Sequence, residues 1–312
     1  MPDPVLFAKA VAVSGVVSAL IVALITLLRR PAISTRINVA SLWGITLGAA
    51  IGFGLLGLVP HWPPADGFDR FLFIVLPAVV IVELVSGFAR VPHLAAWVLR
   101  VVLAAFAGRV LLHGSSYLDG SASDWTIGRT WIALVLCAAL LITVWSLLAW
   151  LMQRSPGISI PLAVSQTCLA SGMALMLSAS LSGGKTALPL AAGLAGAAIT
   201  SWLVASRTAG SRAVASGALG VGLISVFGVL ILGRFFGELS TGRAVVIFLA
   251  PLLCWTTELR ALRDRRPWVI AAIRLALVSL PLAAVLFLAQ RDFERNSAAS
   301  GGNETAAAYP SC

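Results

Sequence analysis

Charge is what this chain has least of. Asp, Glu, Lys and Arg together make up only 11% of its 312 residues, and lysine occurs only at Lys9 and Lys185. A water-soluble domain clothes itself with charged side chains amounting to roughly a quarter of its residues, so less than half the required supply is present. No polar stretch longer than the segment from Arg291 onward breaks the apolar sequence, which excludes a sizeable soluble domain. Cysteine is scarce as well. Cys137, Cys168 and Cys254 lie inside apolar runs and Cys312 stands apart. No spacing among them resembles a metal knuckle or a disulfide framework, so they read as small packing residues. Neither a metal nor a cofactor is expected, and no residue is assigned a catalytic role.

What is present in abundance is apolar sequence: 59% of the residues are hydrophobic and the mean hydropathy is +0.98. Ten apolar runs follow one another, at about 6–28, 38–59, 71–89, 94–112, 130–151, 160–181, 187–206, 214–233, 244–259 and 268–289. Most are near the ~20 residues that an α-helix needs to cross the hydrocarbon core. The ninth is short. Arg29-Arg30 closes the first run as a stop-transfer signal would, and no small-residue cleavage site follows, so that run reads as a span rather than a signal peptide. The fold class expected is all-α, a polytopic bundle of about ten transmembrane helices. One transmembrane domain covers about 1–290, and 291–312, rich in Ser, Ala, Gly and Asn, is expected to be a disordered tail.

The net charge of +10 would suggest nucleic acid in a soluble protein. Here the arginines sit between apolar runs, where they orient a membrane protein instead, and no nucleic-acid partner is expected. One alternate set of turns carries eleven basic residues, including Arg29, Arg30, Arg36, Arg154, Arg207, Arg212 and Arg266; the other carries seven, among them Arg70, Arg129, Lys185, Arg234 and Arg243. The richer set should be cytoplasmic, which puts both termini outside a cell membrane of the bacterial inner-membrane type. The bilayer is the partner that composition demands; further membrane subunits or a second copy of the chain stay open.

Two regions look alike. Gly44, Leu47, Gly52, Leu56 and Gly57 recur as Gly220, Leu223, Gly228, Leu232 and Gly233, each 176 positions later, and Arg70, Pro77, Glu83, Pro92 and Arg100 recur as Arg243, Pro251, Glu258, Pro267 and Arg274 at offsets of 173 to 175. Charges and prolines are rare in membrane spans, so their recurrence carries more information than matching leucines. A duplication is expected, with repeat A at about 5–113, a central hairpin at about 127–181 and repeat B at about 187–290. An even displacement of six spans would make the repeats parallel.

Glu83 and Arg100 flank Pro92 at nearly equal distance, about 12–14 Å from the turn along either helix. A lone charge there costs several kcal/mol, so an ion pair is expected. Glu258 and Arg274 flank Pro267 in the same way. These pairs are either staples for their hairpins or a substrate or proton site, with an anion at Arg or a relay at Glu. Pro77 and Pro251 fall within their spans and should kink them. Gly44, Gly48 and Gly52 lie on one helical face and should permit close helix contact. Gly183-Gly184-Lys185-Thr186 lacks the upstream Gly of a phosphate loop and its strand-to-helix context. His61, His113, Asp66, Asp69, Asp119 and Asp124 occupy turns on one side, where they either solvate the surface or converge on a metal or acid–base site.

Three function classes survive. A small-solute transporter fits best, followed by a non-catalytic subunit or scaffold of a membrane assembly, then a membrane enzyme acting on a lipid-linked substrate. A polar cavity reaching Glu83 or Arg274 would favour the first, a large apolar flank the second, and convergence of the histidines and aspartates the third.

Overall fold

With no water in a bilayer core, each backbone N–H and C=O must find its partner inside its own segment, and helix is the arrangement that provides it. No strand occurs among the described residues of the computed structural model, which are 4–28, 33–58, 61–87, 91–118, 126–178, 180–207, 216–259 and 266–307, with backbone alone described at 33–36, 216 and 296–307. Arg29, Arg30, Arg90, Arg212, Arg260, Arg263 and Arg265, the side chain of Arg36, and Asp119, Asp124 and Cys312 lie outside them.

Eight of the ten apolar runs form continuous helices long and apolar enough to cross a membrane. These are α1 (Pro4–Leu28), α2 (Ile33–Leu55), α5 (His93–Leu111), α6 (Ile127–Arg154), α7 (Ser159–Leu177), α8 (Leu181–Arg207), α9 (Ser216–Phe235) and α11 (Pro267–Ala307). The chain is an integral membrane protein with an all-helical body. The third and ninth runs are also helical but broken, and both breaks fall at the prolines. In the third, α3 (Gly67–Arg70) passes through a π-helical turn (Phe71–Val75) into α4 (Leu76–Ser86), whose second residue is Pro77. In the ninth, α10 (Thr241–Leu249) tightens into a 3₁₀-helix (Ala250–Glu258) with Pro251 as its second residue.

A proline ring collides with the carbonyl four residues earlier and donates no N–H. The two segments relieve that collision in opposite ways. Before Pro77 the helix widens, and the Leu76 N–H reaches back to Phe71. At Pro251 it tightens and stays tight for nine residues, far beyond the usual three or four. A 3₁₀-helix rises ~2.0 Å per residue against ~1.5 Å for an α-helix. The ninth segment therefore extends about 31 Å rather than 27 Å, which matches the hydrocarbon thickness despite its shortness.

The last helix runs beyond its apolar stretch to Ala307, into the segment expected to be disordered. Extending a helix that packing has already nucleated is far easier than starting one. The first polar turns have local support too: Gln290 donates to Glu294 at 3.0 Å and Arg291 stacks over Phe287 at 4.7 Å. Arg243 at the start of α10 pairs with Asp292. Phe7 of α1 packs with Leu56, with Met176 against them, and the adjacent Leu175 lies against Gly233 at the end of α9, so the beginning of α1 and Asp292 of α11 lie at one end of the bundle, called here the terminal end.

The core forms around α9, the most buried of the eight long helices. Beside it α1, α2 and α8 pack on one another through small residues. A Cβ on Gly48 would stand 2.6 Å from the Ser14 carbonyl oxygen, and one on Gly52 would stand 2.6 Å from the Pro189 ring. Hydroxyls tie the same helices: Ser14 donates to the Pro189 carbonyl at 2.7 Å, Ser18 to that of Gly193 at 2.8 Å, and Ser41 meets Ser201 at 2.8 Å. Apolar side chains gain little by leaving lipid for protein, so such close packing and hydrogen bonding carry helix association. The helical glycines should accordingly respond differently to alanine. Gly48→Ala must move backbone and is expected to cost about 1–3 kcal/mol. Gly54 lies on the same helix, but a Cβ there would meet nothing within 4 Å. It should tolerate alanine or gain slightly from helix propensity. Reversible unfolding of the two variants in mixed micelles checks the contrast, and equal effects would contradict this packing.

Candidate functional site

Glu83 sits in the last turn of α4 and Arg100 in the second turn of α5. The hairpin between them brings the side chains together in fork geometry. Arg100 Nε donates to Glu83 Oε1 and Nη2 to Oε2, both at 2.8 Å. This two-point, charge-assisted contact is the strong form of a guanidinium–carboxylate pair. Its surroundings are closed. The Arg100 guanidinium lies 5.4 Å from the Trp97 ring centroid and 5.7 Å from that of Trp145 on α6. The carboxylate presses on α9 where only glycine fits, since a Cβ on Gly220 would stand 2.4 Å from Oε1. The Glu83 side chain is 1% exposed and that of Arg100 14%.

Glu258 and Arg274 also meet, at the end of the bundle away from the termini, but in a different setting. Glu258 is the last residue of the 3₁₀-helix, and Arg274 lies two turns into α11. Arg274 Nη2 donates to Glu258 Oε1 at 3.1 Å. The remaining donors reach hydroxyls: Nε to Thr257 Oγ1 at 2.7 Å, Nη1 to Ser159 Oγ at 3.1 Å, and Nη2 also to Ser155 Oγ at 3.0 Å. Four of the five guanidinium N–H directions are engaged, and only one of them by a charged partner. The Arg274 side chain is 3% exposed, whereas that of Glu258 is 24% exposed.

The difference arises from a cavity of about 540 Å³ lined by Arg154, Ser155, Thr257, Glu258, Ile270 and Arg274. Its walls are the end of α6, the short α6–α7 turn, the 3₁₀-helix and the start of α11. Arg154 at its edge stacks 4.1 Å over Trp150, which in turn contacts Trp255 at 5.1 Å. Two guanidinium groups and several hydroxyls around a polar space suit an anion or water. Glu258 supplies a carboxylate that an incoming anion would have to displace from Arg274.

Sequence reasoning singled out Glu258 and Arg274 but missed Arg154, Ser155, Ser159 and Thr257. Thr257 adjoins Glu258, and two serines flank Pro156-Gly157, yet only the fold brings the α6–α7 turn against α11. Pro77 lies six residues before Glu83 and Pro251 seven before Glu258, each at the break in the segment that carries its glutamate.

The polar residues at the terminal end make local bonds. Asp66 caps α3 by accepting from the Asp69 N–H at 2.8 Å, Asp69 accepts from the His61 backbone N–H at 3.3 Å, and Arg70 holds the His113 and Ala65 carbonyls. No group of three metal-binding side chains converges among the described residues.

No protein-family model matches the chain, and no curated protein is significantly similar to it.

Proposed function

We propose that the protein is a small-solute transporter, with anions as its substrates and the Arg274 cavity as its vestibule. The carrying observation is the polar cavity of about 540 Å³ that ends on a guanidinium otherwise sealed from solvent. A buried charge in a membrane span is costly and is retained where it serves a pathway. The 3₁₀-helix bearing Thr257 and Glu258 fits a moving part, because long runs of that form mark hinges.

In this reading the chain crosses the membrane ten times, eight times through continuous helices and twice through the broken segments 67–86 and 241–258. Parallel duplication is supported by the way corresponding parts recur: α1 packs on α8 and α2 on α9, while each repeat has a proline-broken third segment whose glutamate meets an arginine of the fourth. The repeats have since diverged, with one pair dry and the other wet. The excess of arginine puts the vestibule in the cytoplasm and the termini outside, consistent with a bacterial inner membrane. The Glu83–Arg100 pair acts as a staple.

Proteoliposomes test this. Saturable uptake above that of empty vesicles is expected for a member of a panel of labelled phosphate, sulfate and short carboxylates. Ser155→Cys should react with a membrane-impermeant thiol reagent only from the cytoplasmic side. A Ser155→Cys thiol that water-borne reagent cannot reach from either side would remove the vestibule, and the proposal with it. A non-catalytic subunit would instead show an accessible thiol and no uptake of any panel member.

A further inference from the structure

A second cavity lies near the terminal end, and its character is the reverse of the first. It measures about 200 Å³, below the ~300–1,000 Å³ of ordinary small-molecule pockets. Ala133 and Cys137 of α6 form one wall, Ala244 and Phe248 of α10 the other, and Phe227 and Ile231 of α9 the floor. The groove runs from Phe227 to Arg234, seven residues and about 10 Å along the helix, so it stays within one leaflet of a ~30 Å hydrocarbon core. A solute finds no polar contact along this floor, and a groove so short and narrow cannot seat a partner helix about 10 Å across.

At the rim the lining changes. Arg234 and Thr241 border the groove there, with Arg234 Nε donating to Thr241 Oγ1 at 2.6 Å. Among the described residues Arg234 has no carboxylate within salt-bridge distance, although Arg243 close by is paired with Asp292. Arg129 stands one turn before Ala133 on the same face of α6 and adds a second positive charge toward this end. A cation above an apolar slot open to lipid is complementary to one kind of molecule, an acyl chain topped by a phosphate.

We propose that this groove holds an acyl chain of an anionic phospholipid, with the headgroup phosphate on Arg234. Thr241 fixes the guanidinium by engaging Nε and leaves both Nη groups to the phosphate oxygens. The chain fills the space over the α9 floor between α6 and α10. This assignment is independent of the transport reading.

Cys137 reports on occupancy, because it lines the groove half-exposed while Cys168 and Cys254 are buried. The full chain in detergent micelles is titrated with phosphatidylglycerol or with phosphatidylcholine of the same chain length. Alkylation of Cys137 by N-ethylmaleimide is followed by peptide mass spectrometry. Phosphatidylglycerol should half-protect Cys137 at about a tenfold lower mole fraction than phosphatidylcholine, as one charge-assisted contact allows. Arg234→Gln should abolish the preference and Arg234→Lys keep part of it. Ala244→Phe, which fills the groove, should slow alkylation with no lipid added. Glycerol 3-phosphate in solution should protect nothing. Equal protection of the wild-type protein by the two lipids would overturn the proposal, a comparison that needs no variant to fold. So would a preference that survives Arg234→Gln, or protection by soluble glycerol 3-phosphate, which would mean a water-borne anion site.

Discussion

Replacing Glu83 by alanine is expected to destabilise the protein by about 3–5 kcal/mol, the cost of stranding one partner of a dry ion pair. Arg100, 14% exposed in the intact protein, would be left between Trp97 and Trp145, where water reaches it poorly and the described structure offers it no second carboxylate. Arg100→Ala should be at least as harmful, since the abandoned Glu83 carboxylate is the more deeply buried member and lies against Gly220. Exchanging both for methionine, which has similar length and no charge, should recover most of the stability, because two buried charges gain little over a packed apolar pair. Unfolding in mixed micelles measures all three. A double variant as unstable as the singles would mean that the sites do not act as a pair. A double variant that folds but no longer takes up solute would assign the pair to function and refute the staple reading.

The two pairs are legible in the sequence for one reason: charges inside apolar runs are rare, and equal spacing about Pro92 and Pro267 puts them at matched depth. Their environments are not legible. Trp145 and Gly220, which seal the first pair, come from α6 and α9, and no pattern within the α4–α5 hairpin points to either. Ser155 and Ser159, which surround Arg274, lie at the end of α6 and the start of α7, more than a hundred residues away. The spacing-based symmetry therefore concealed the main structural difference between the pairs, which is access to water.

The helix count shows a similar divide. Apolar length marked ten runs, and Pro77 and Pro251 fall at the two breaks, whereas Pro189 and Pro281 sit inside helices that stay continuous. Whether a proline-containing segment widens or tightens depends on its neighbours. Gly228 opens a slot for Phe71, the first residue of the π turn, with a Cβ there only 2.5 Å from its ring; this places the wide turn against α9. In the ninth segment the tight turns lengthen an otherwise short helix and bring Thr257 and Glu258 to the cavity. Composition indicates lipid as the solvent but not the α6–α10 groove, whose walls lie about a hundred residues apart in sequence.

The same substitution logic applied to Arg274 should give the opposite outcome from Glu83: a modest loss of stability and a large loss of uptake. Arg274→Gln removes the guanidinium but leaves no buried charge unpaired, only the hydroxyls of Ser159 and Thr257 without that donor. Glu258 is 24% exposed, and Ser155 and Thr257 line the same cavity, so water can replace the lost donors. The expected cost in stability is about 1–2 kcal/mol. Uptake should fall about 100-fold, because an anion bound through a buried guanidinium loses some 3 kcal/mol when that charge is removed, and each 1.4 kcal/mol is a factor of ten. Lysine in its place restores charge but cannot reach Thr257, Ser159 and Ser155 together as a planar fork does, so Arg274→Lys should recover only part of the activity. Glu258→Gln removes the carboxylate that competes with substrate. Its expected signature is a lower KM together with a lower kcat, since an anion held without a competitor binds more tightly and leaves more slowly. Were Arg274→Gln to unfold the protein as readily as Glu83→Ala, the second pair would be another staple. Were it to fold and transport normally, the anion would have to be bound elsewhere.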